Sequence, residues 1–139
     1  MTAHHTLPPA AWRDRIAMGL MILLGLFSLA VCAEAALTFA AVPLEAVAVE
    51  AWRMFGYAVF AGLFFLVAVR PRRMTGIWEL ILFHKLGTAL FLVPYVGADA
   101  GTGAGPTESI GYIAANDVFL VAVTATAYVL ARGWRAWRR

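Results

Sequence analysis

The sequence predicts an all-α integral membrane protein, an antiparallel bundle of four transmembrane helices. Of its 139 residues, 63% are hydrophobic and 14% are charged, whereas soluble domains carry about 25% charged and about 45–50% apolar residues. Four apolar stretches are long enough to cross roughly 30 Å of hydrocarbon at about 1.5 Å per helical residue. The arginines cluster at those ends of the stretches that four crossings would bring to one side of a membrane.

The first span is expected over about 16–40, after a short polar arm that contains His4 and His5. Its apolar run is longer than the roughly 7–15 residues of a signal peptide. We therefore expect the segment to be retained as a transmembrane helix. The two histidines are expected in a mobile tail, with adventitious metal binding as the alternative.

The other three spans are expected over about 49–69, 76–96 and 109–131. No proline falls in the middle of a span, so a regular helix can satisfy the backbone groups inside the membrane. The glycine-rich loop 97–106 follows no predicted strand and contains no lysine, which argues against a phosphate-binding loop. Short connections favour an up-down arrangement in a single domain.

Charge indicates the orientation of the bundle. The arginines expected on the side of both termini are Arg13, Arg15, Arg70, Arg72, Arg73, Arg132, Arg135, Arg138 and Arg139. The opposite loops carry Glu45, Glu50, Asp99 and Glu108, with Arg53 the only base near them. We expect the protein in the inner (cytoplasmic) membrane, and the positive-inside rule then places both termini in the cytoplasm. The net charge of +3 belongs to these loops, so no nucleic-acid partner is expected.

The third predicted span carries ionisable residues that lipid disfavours. A lysine near mid-span costs about 2.5–3.5 kcal/mol on insertion scales. At about 100° per residue, His84, Lys85, Thr88 and Tyr95 share one face, which we expect to point inward. Glu79 points the other way, near the basic end, and is expected to pair with an arginine of the preceding loop, Arg72 or Arg73.

The fourth predicted span offers a counter-charge for Lys85. Asp117 shares a polar stripe with Thr124 and Tyr128, and lies at a depth similar to that of Lys85. Consecutive spans are usually neighbours, so we expect a Lys85–Asp117 ion pair with His84 close by. Tyr112 or Tyr128 would complete the cluster.

A second polar group is expected near the acidic end. Glu34 lies late in the first span and Arg53 early in the second, which suggests an interhelical pair, with Tyr57 about one turn deeper. Asn116 lies on the flank of the fourth span. Apolar walls with a few convergent polar groups are typical of a pocket for a lipophilic small molecule. The alternative is that these polar residues only fix helix register.

The layout resembles the DoxX-like group of small bacterial four-span proteins. The resemblance rests on Arg13 and Arg15 at the start, Gly19 and Gly25 in the first span, Glu34 at its end, and the compact plan. It implies a four-span bundle. It also implies a possible role as a subunit beside a larger membrane partner, since the group is named after a subunit of a quinone-reducing oxidoreductase.

Three functions follow from these residues. The first is a membrane-embedded acid/base enzyme, an isomerase, a cyclase or an epoxide-opening hydrolase. Its expected catalytic residues are Asp117, His84, Lys85 and Tyr112, and its expected substrate-binding residues are Glu34, Arg53, Asn116 and Tyr57. The alternative is a non-catalytic subunit that binds a quinone or lipid. The third is a small proton-coupled transporter acting as a dimer, with Glu34 as the coupling acid, although Glu34 lies near the outer end of its span rather than at the midplane.

No cofactor or metal is expected. A single cysteine, Cys32, excludes an internal disulfide, a redox dithiol and a cysteine-based metal cluster. His84 is the only histidine within a predicted span, so bis-histidine haem ligation within one chain is excluded. The partners that remain are the bilayer, a lipophilic small molecule and other membrane subunits.

Overall fold

The structure is a computed structural model that describes residues 11–98 and 109–138. The four long helices of the described residues are α1 (Ala11–Thr38), α2 (Val47–Val69), α3 (Ile77–Leu92) and α4 (Ile110–Ala131). Each is long and apolar enough to cross a membrane, and no strand occurs among the described residues. The predicted four-helix membrane fold is therefore confirmed. His4, His5, Asp99, Glu108 and Arg139 lie outside the described residues, as does most of the glycine-rich loop.

Two helix ends differ from the expected spans. α1 already begins at Ala11, so the arginines expected ahead of the span lie in its first turns, where Asp14 offsets the positive end of the helix dipole. α3 ends at Leu92 and continues as a short 3-10 turn, Val93–Tyr95. Pro94 explains this change because its nitrogen has no hydrogen to donate to a regular helical ladder.

The helices pack as two hairpins. α1 lies along α2, and α3 lies along α4, as expected for consecutive spans. The two hairpins meet mainly where α1 contacts α4, while α2 and α3 touch over only a small area. We call this sparse α2–α3 contact the open seam. We call the end with both termini the basic end, and the end with Glu34 and Glu45 the acidic end.

The apolar core fills the half of the bundle nearer the basic end. The largest fully buried side chains include Met21 of α1, Phe64 of α2, Trp78 and Ile81 of α3, and Val67. They belong to one cluster, which is completed by Leu120, Ala127 and Ala131 of α4. Because the main core stops short of the acidic end, that end has room for a cavity.

Arg72 connects the loop after α2 to the first and last helices, α1 and α4. Its guanidinium donates to the Asp14 carboxylate on α1 and, through Nε, to the main-chain oxygen of Ala131 at 3.0 Å. Trp78 Nε1 donates to the Pro71 carbonyl oxygen at 2.9 Å. These contacts satisfy backbone oxygens at helix ends, where regular helix provides no partner.

Glu79 is held by a phenol hydroxyl and an indole N–H rather than by a base. Its carboxylate accepts hydrogen bonds from Tyr128 Oη at 2.8 Å and from Trp137 Nε1 at 3.0 Å. The expected pairing with Arg72 or Arg73 is wrong, because Asp14 already engages Arg72 and the C-terminal 3-10 helix, Gly133–Arg138, brings Trp137 back to α3.

Gly25 allows α1 and α2 to approach closely. A β-carbon added there would lie 2.7 Å from Cε1 of Phe65, well inside contact distance. Small residues at helix interfaces permit this kind of approach in membranes, where van der Waals packing drives association. The α1–α2 hairpin, which carries one wall of the cavity described next, therefore depends on this position.

Candidate functional site

A cavity of about 380 Å³ opens at the acidic end between α1, α2 and α4. Its lining residues are Phe27, Val31, Glu34, Ala35 and Thr38 from α1, Arg53 and Tyr57 from α2, and Tyr112 and Asn116 from α4. The volume lies in the range of small-molecule sites, roughly 300–1,000 Å³. We call this space the acidic-end cavity.

The cavity brings together residues that are far apart in the sequence. All four residues expected to bind substrate line it, namely Glu34, Arg53, Tyr57 and Asn116. Tyr112, expected among the catalytic residues, lines it as well. His84, Lys85 and Asp117 are not among its lining residues. The sequence therefore predicted two sets of polar residues, and only the set nearer the acidic end surrounds the cavity.

The expected Glu34–Arg53 ion pair is wrong. Arg53 instead pairs with Glu50, one turn earlier on the same helix, at 2.5 Å. An acid three residues earlier on the same helix is a surface neighbour of Arg53, whereas Glu34 belongs to another helix, α1. Glu34 has no ion-pair partner within residues 11–98 and 109–138, so its carboxylate is free to meet a ligand.

α1 supplies cavity residues that were not expected from the sequence. Val31, Ala35 and Thr38 line the cavity together with Phe27 and Glu34. These positions recur every three or four residues and so fall on one face of a helix. Their helical spacing from Glu34 places them on its face, but small and aliphatic residues do not stand out in an apolar span.

The predicted Lys85–Asp117 ion pair is confirmed. Lys85 Nζ lies 2.9 Å from Asp117 Oδ1, and the two residues are only 8% and 4% exposed. The Lys85 ammonium also lies 4.5 Å above the centre of the Phe60 ring, a distance suited to a cation–π contact. The pair neutralises both charges in the bundle and joins α3 to α4.

His84 does not share the buried face of Lys85. It is exposed on the bundle surface, with its ring centre 4.7 Å from that of Phe60 at the open seam. Tyr95 is exposed too, and Thr88 is half-buried. The expected common inward face is therefore wrong: the inward stripe of α3 consists of Trp78, Ile81, Lys85 and Ala89. A stripe at that spacing leaves the residue before Lys85 about 100° away from the core.

The polar residues expected on one stripe of α4 also make contacts in two separate parts of the bundle. Asp117 pairs with Lys85, whereas Tyr128 contacts Glu79 at the basic end. Thr124, between them, is fully buried, and its hydroxyl has no hydrogen-bond partner within the described residues. Apolar core therefore separates the ion pair from the contacts at the basic end.

The ion pair lies next to the inner part of the acidic-end cavity. Asn116 lines the cavity and directly precedes Asp117 in α4. Tyr57, another lining residue, is close enough to both Arg53 and Asp117 for electrostatic interaction. The cavity thus offers a free carboxylate, two phenols, an amide and a paired guanidinium, while Asp117 is engaged by Lys85 beside it.

No group of three histidine, cysteine, aspartate or glutamate residues capable of holding a metal ion occurs in the part of the chain that the structure describes. Comparison of the chain with protein-family models, curated proteins and solved structures finds no match.

Proposed function

We propose that this multi-pass membrane protein binds the polar head of a lipophilic small molecule in the acidic-end cavity. The observation that carries the proposal is the convergence of Glu34, Arg53, Tyr57, Tyr112 and Asn116 on one cavity. Polar side chains within membrane spans are expensive, and three helices place theirs around the same space. Register alone would be served by direct contacts between these residues.

The walls of the cavity suit an amphipathic ligand. Phe27 and Val31 contribute apolar surface on α1, and outward-facing apolar side chains continue along the same helix, including Leu23. A polar head in the cavity would leave its alkyl chain against this surface and the surrounding lipid. Ligand sites of this kind combine apolar walls with a few polar groups that fix orientation.

Acid/base catalysis on the bound molecule is the second candidate, and the free carboxylate of Glu34 supports it. Glu34 would act as the general base and Tyr112 or Tyr57 as the proton donor, because these groups line one space. Asp117, expected in that role from the sequence, is ion-paired with Lys85 and does not line the cavity. We therefore assign Asp117 and Lys85 to positioning α3 and α4.

A role as a non-catalytic subunit remains part of the proposal through the resemblance to DoxX-like proteins. In that case the cavity would hold a quinone or lipid head beside a larger membrane partner. Association with such a partner, or formation of a homo-oligomer, would be measured by purification in mild detergent followed by mass determination of the complex.

Photolabelling tests ligand binding directly. Three decyl amphiphiles with the same diazirine in the tail serve as probes: decyltrimethylammonium, decanoate and decanol. The protein is labelled in dodecyl maltoside, and labelled peptides are mapped by mass spectrometry. We expect saturable labelling by at least one probe on the peptides that carry Phe27, Tyr57 or Tyr112.

Two neighbouring alanines provide a matched pair of variants. Ala35 lines the cavity, whereas Ala36 is exposed on the bundle surface and does not. Ala35→Trp should fill the cavity and abolish saturable labelling, and Ala36→Trp should leave it intact. Labelling that is saturable for none of the probes, or that is equally strong in both variants, would contradict the proposed function.

A further inference from the structure

We propose that the ligand of the acidic-end cavity carries a positive charge, as an amphiphilic quaternary or protonated amine. The inference rests on the proposed function, since it names the class of molecule that the same cavity takes. It goes further because the convergence of polar residues does not by itself select a cationic, neutral or anionic head.

The acidic-end cavity leaves one negative charge uncompensated among the described residues. Two charged side chains line it, Glu34 and Arg53. Arg53 is neutralised by Glu50 at 2.5 Å, while Glu34 has no ion-pair partner among the described residues. Glu34 is exposed, and a cationic head that reached its carboxylate would gain a Coulomb attraction that neither a neutral nor an anionic head has.

The lining of the acidic-end cavity also contains aromatic rings. Phe27, Tyr57 and Tyr112 come from three different helices and border the same cavity as Glu34. The face of an aromatic ring carries negative potential, and cages of such rings recognise quaternary ammonium groups. An anionic head would meet an unpaired carboxylate and three aromatic rings, and it would have to displace Glu50 from Arg53.

The charge around the acidic end also favours a cation. Glu50 is paired with Arg53, which leaves Glu34 and the exposed Glu45 as acids without an ion-pair partner among the described residues. A local excess of one sign of charge raises the concentration of the opposite sign. Approach to the cavity and binding within it therefore favour the same class of ligand.

Comparison of the three diazirine probes decides the charge of the head. We expect decyltrimethylammonium to reach half-saturation of cavity labelling at a concentration about tenfold or more below that of decanoate and decanol. Glu34→Gln should remove this preference. Glu45→Gln, which changes the same charge outside the cavity lining, should shift half-saturation less than twofold.

The aromatic contribution is tested separately. Tyr112→Leu should weaken binding of decyltrimethylammonium, and Tyr112→Phe should retain it, because the ring face rather than the hydroxyl contacts the cation. If the Tyr112 hydroxyl acted as a proton donor in catalysis, Tyr112→Phe would keep ligand binding and lose turnover.

The possible failures have different meanings. Stronger saturable labelling by decanoate, lost in Arg53→Gln, would overturn the cationic head and leave the binding function standing. Equal effects of Glu34→Gln and Glu45→Gln would also overturn it. Absence of saturable labelling by all three probes would overturn both the inference and the proposed function.

Discussion

The Lys85–Asp117 ion pair joins α3 to α4 through two residues that lipid disfavours individually. A lysine and an aspartate at similar depth on consecutive spans have few other partners in an apolar bundle. The free-energy cost of leaving either charge unpaired in the membrane was therefore enough to predict that they pair. The pairing of Arg53 did not follow, because Glu34 and Glu50 were both within range and only the three-dimensional packing separates them. The sequence shows how deep in the membrane a residue lies. It does not show how each helix is rotated about its own axis relative to its neighbours.

Removing one partner of the buried pair should destabilise the bundle. Lys85→Met leaves Asp117 without a counter-charge, and we expect the free energy of unfolding to fall by roughly 3 kcal/mol. Lys85→Met combined with Asp117→Leu should recover most of the loss, since no charge is then buried. Unfolding in mixed detergent micelles measures both variants. A double variant as unstable as Lys85→Met would show that the pair does more than neutralise itself.

Single hydrogen bonds at the basic end can be tested in the same way. Trp137→Phe keeps an aromatic ring but removes the donor to Glu79. We expect a loss of about 1 kcal/mol or slightly more, because the acceptor is a carboxylate. Trp134→Phe is the matched control, as Trp134 lies in the same 3-10 helix and contacts Tyr128 through its ring. Equal losses in both variants would mean that ring packing, not the hydrogen bond, matters.

At the scale of helices, length and hydropathy were sufficient to locate all four spans, but their lateral order required the structure. The close contact at Gly25 illustrates why. The sequence shows Gly19 and Gly25 in one apolar run, and nothing in it distinguishes them. In the structure an added β-carbon at Gly25 meets Phe65, while at Gly19 nothing lies within 4 Å.

The two glycines therefore make a controlled pair. Gly25→Ala should push α1 away from α2 and cost roughly 1–3 kcal/mol, the usual range for overpacking. Gly19→Ala should be neutral or slightly stabilising, because alanine favours helix over glycine. Thermal unfolding in detergent measures the difference. An unchanged midpoint for Gly25→Ala would show that the Phe65 ring moves aside without loss.

For the whole molecule, composition predicted the class of fold, and the position of the core explains the position of the cavity. Large buried side chains occupy the basic half, while Glu34, Tyr57 and Asn116 occupy the other. Hydropathy averages hide this asymmetry because α1 remains apolar on both sides of its midpoint. The site could be anticipated from polar residues, but its enclosure by α1, α2 and α4 without α3 could not.

Orientation in the membrane is a prediction for the whole chain. In a Cys32→Ser background, Glu45→Cys should react with an impermeant maleimide added to intact cells. Arg138→Cys should react only after permeabilisation, because the positive-inside rule keeps the basic end in the cytoplasm. The reverse pattern would place the acidic-end cavity on the cytoplasmic side and change the compartment from which its ligand comes.

The open seam has a consequence for how the protein is assembled. α2 and α3 share little surface, so the two hairpins are joined by the α1–α4 contact and by Arg72, which bonds to Asp14 of α1 and to the main-chain oxygen of Ala131 in α4. None of these contacts requires the backbone to be continuous between Thr75 and Gly76. Two separately translated fragments, one ending at Thr75 and the other starting at Gly76 with an added Met, should therefore reassociate in the membrane. Co-purification of the fragments would show that the gene can be split into two hairpin-coding halves. Recovery of either fragment alone would show that the α1–α4 contact is too weak to join them.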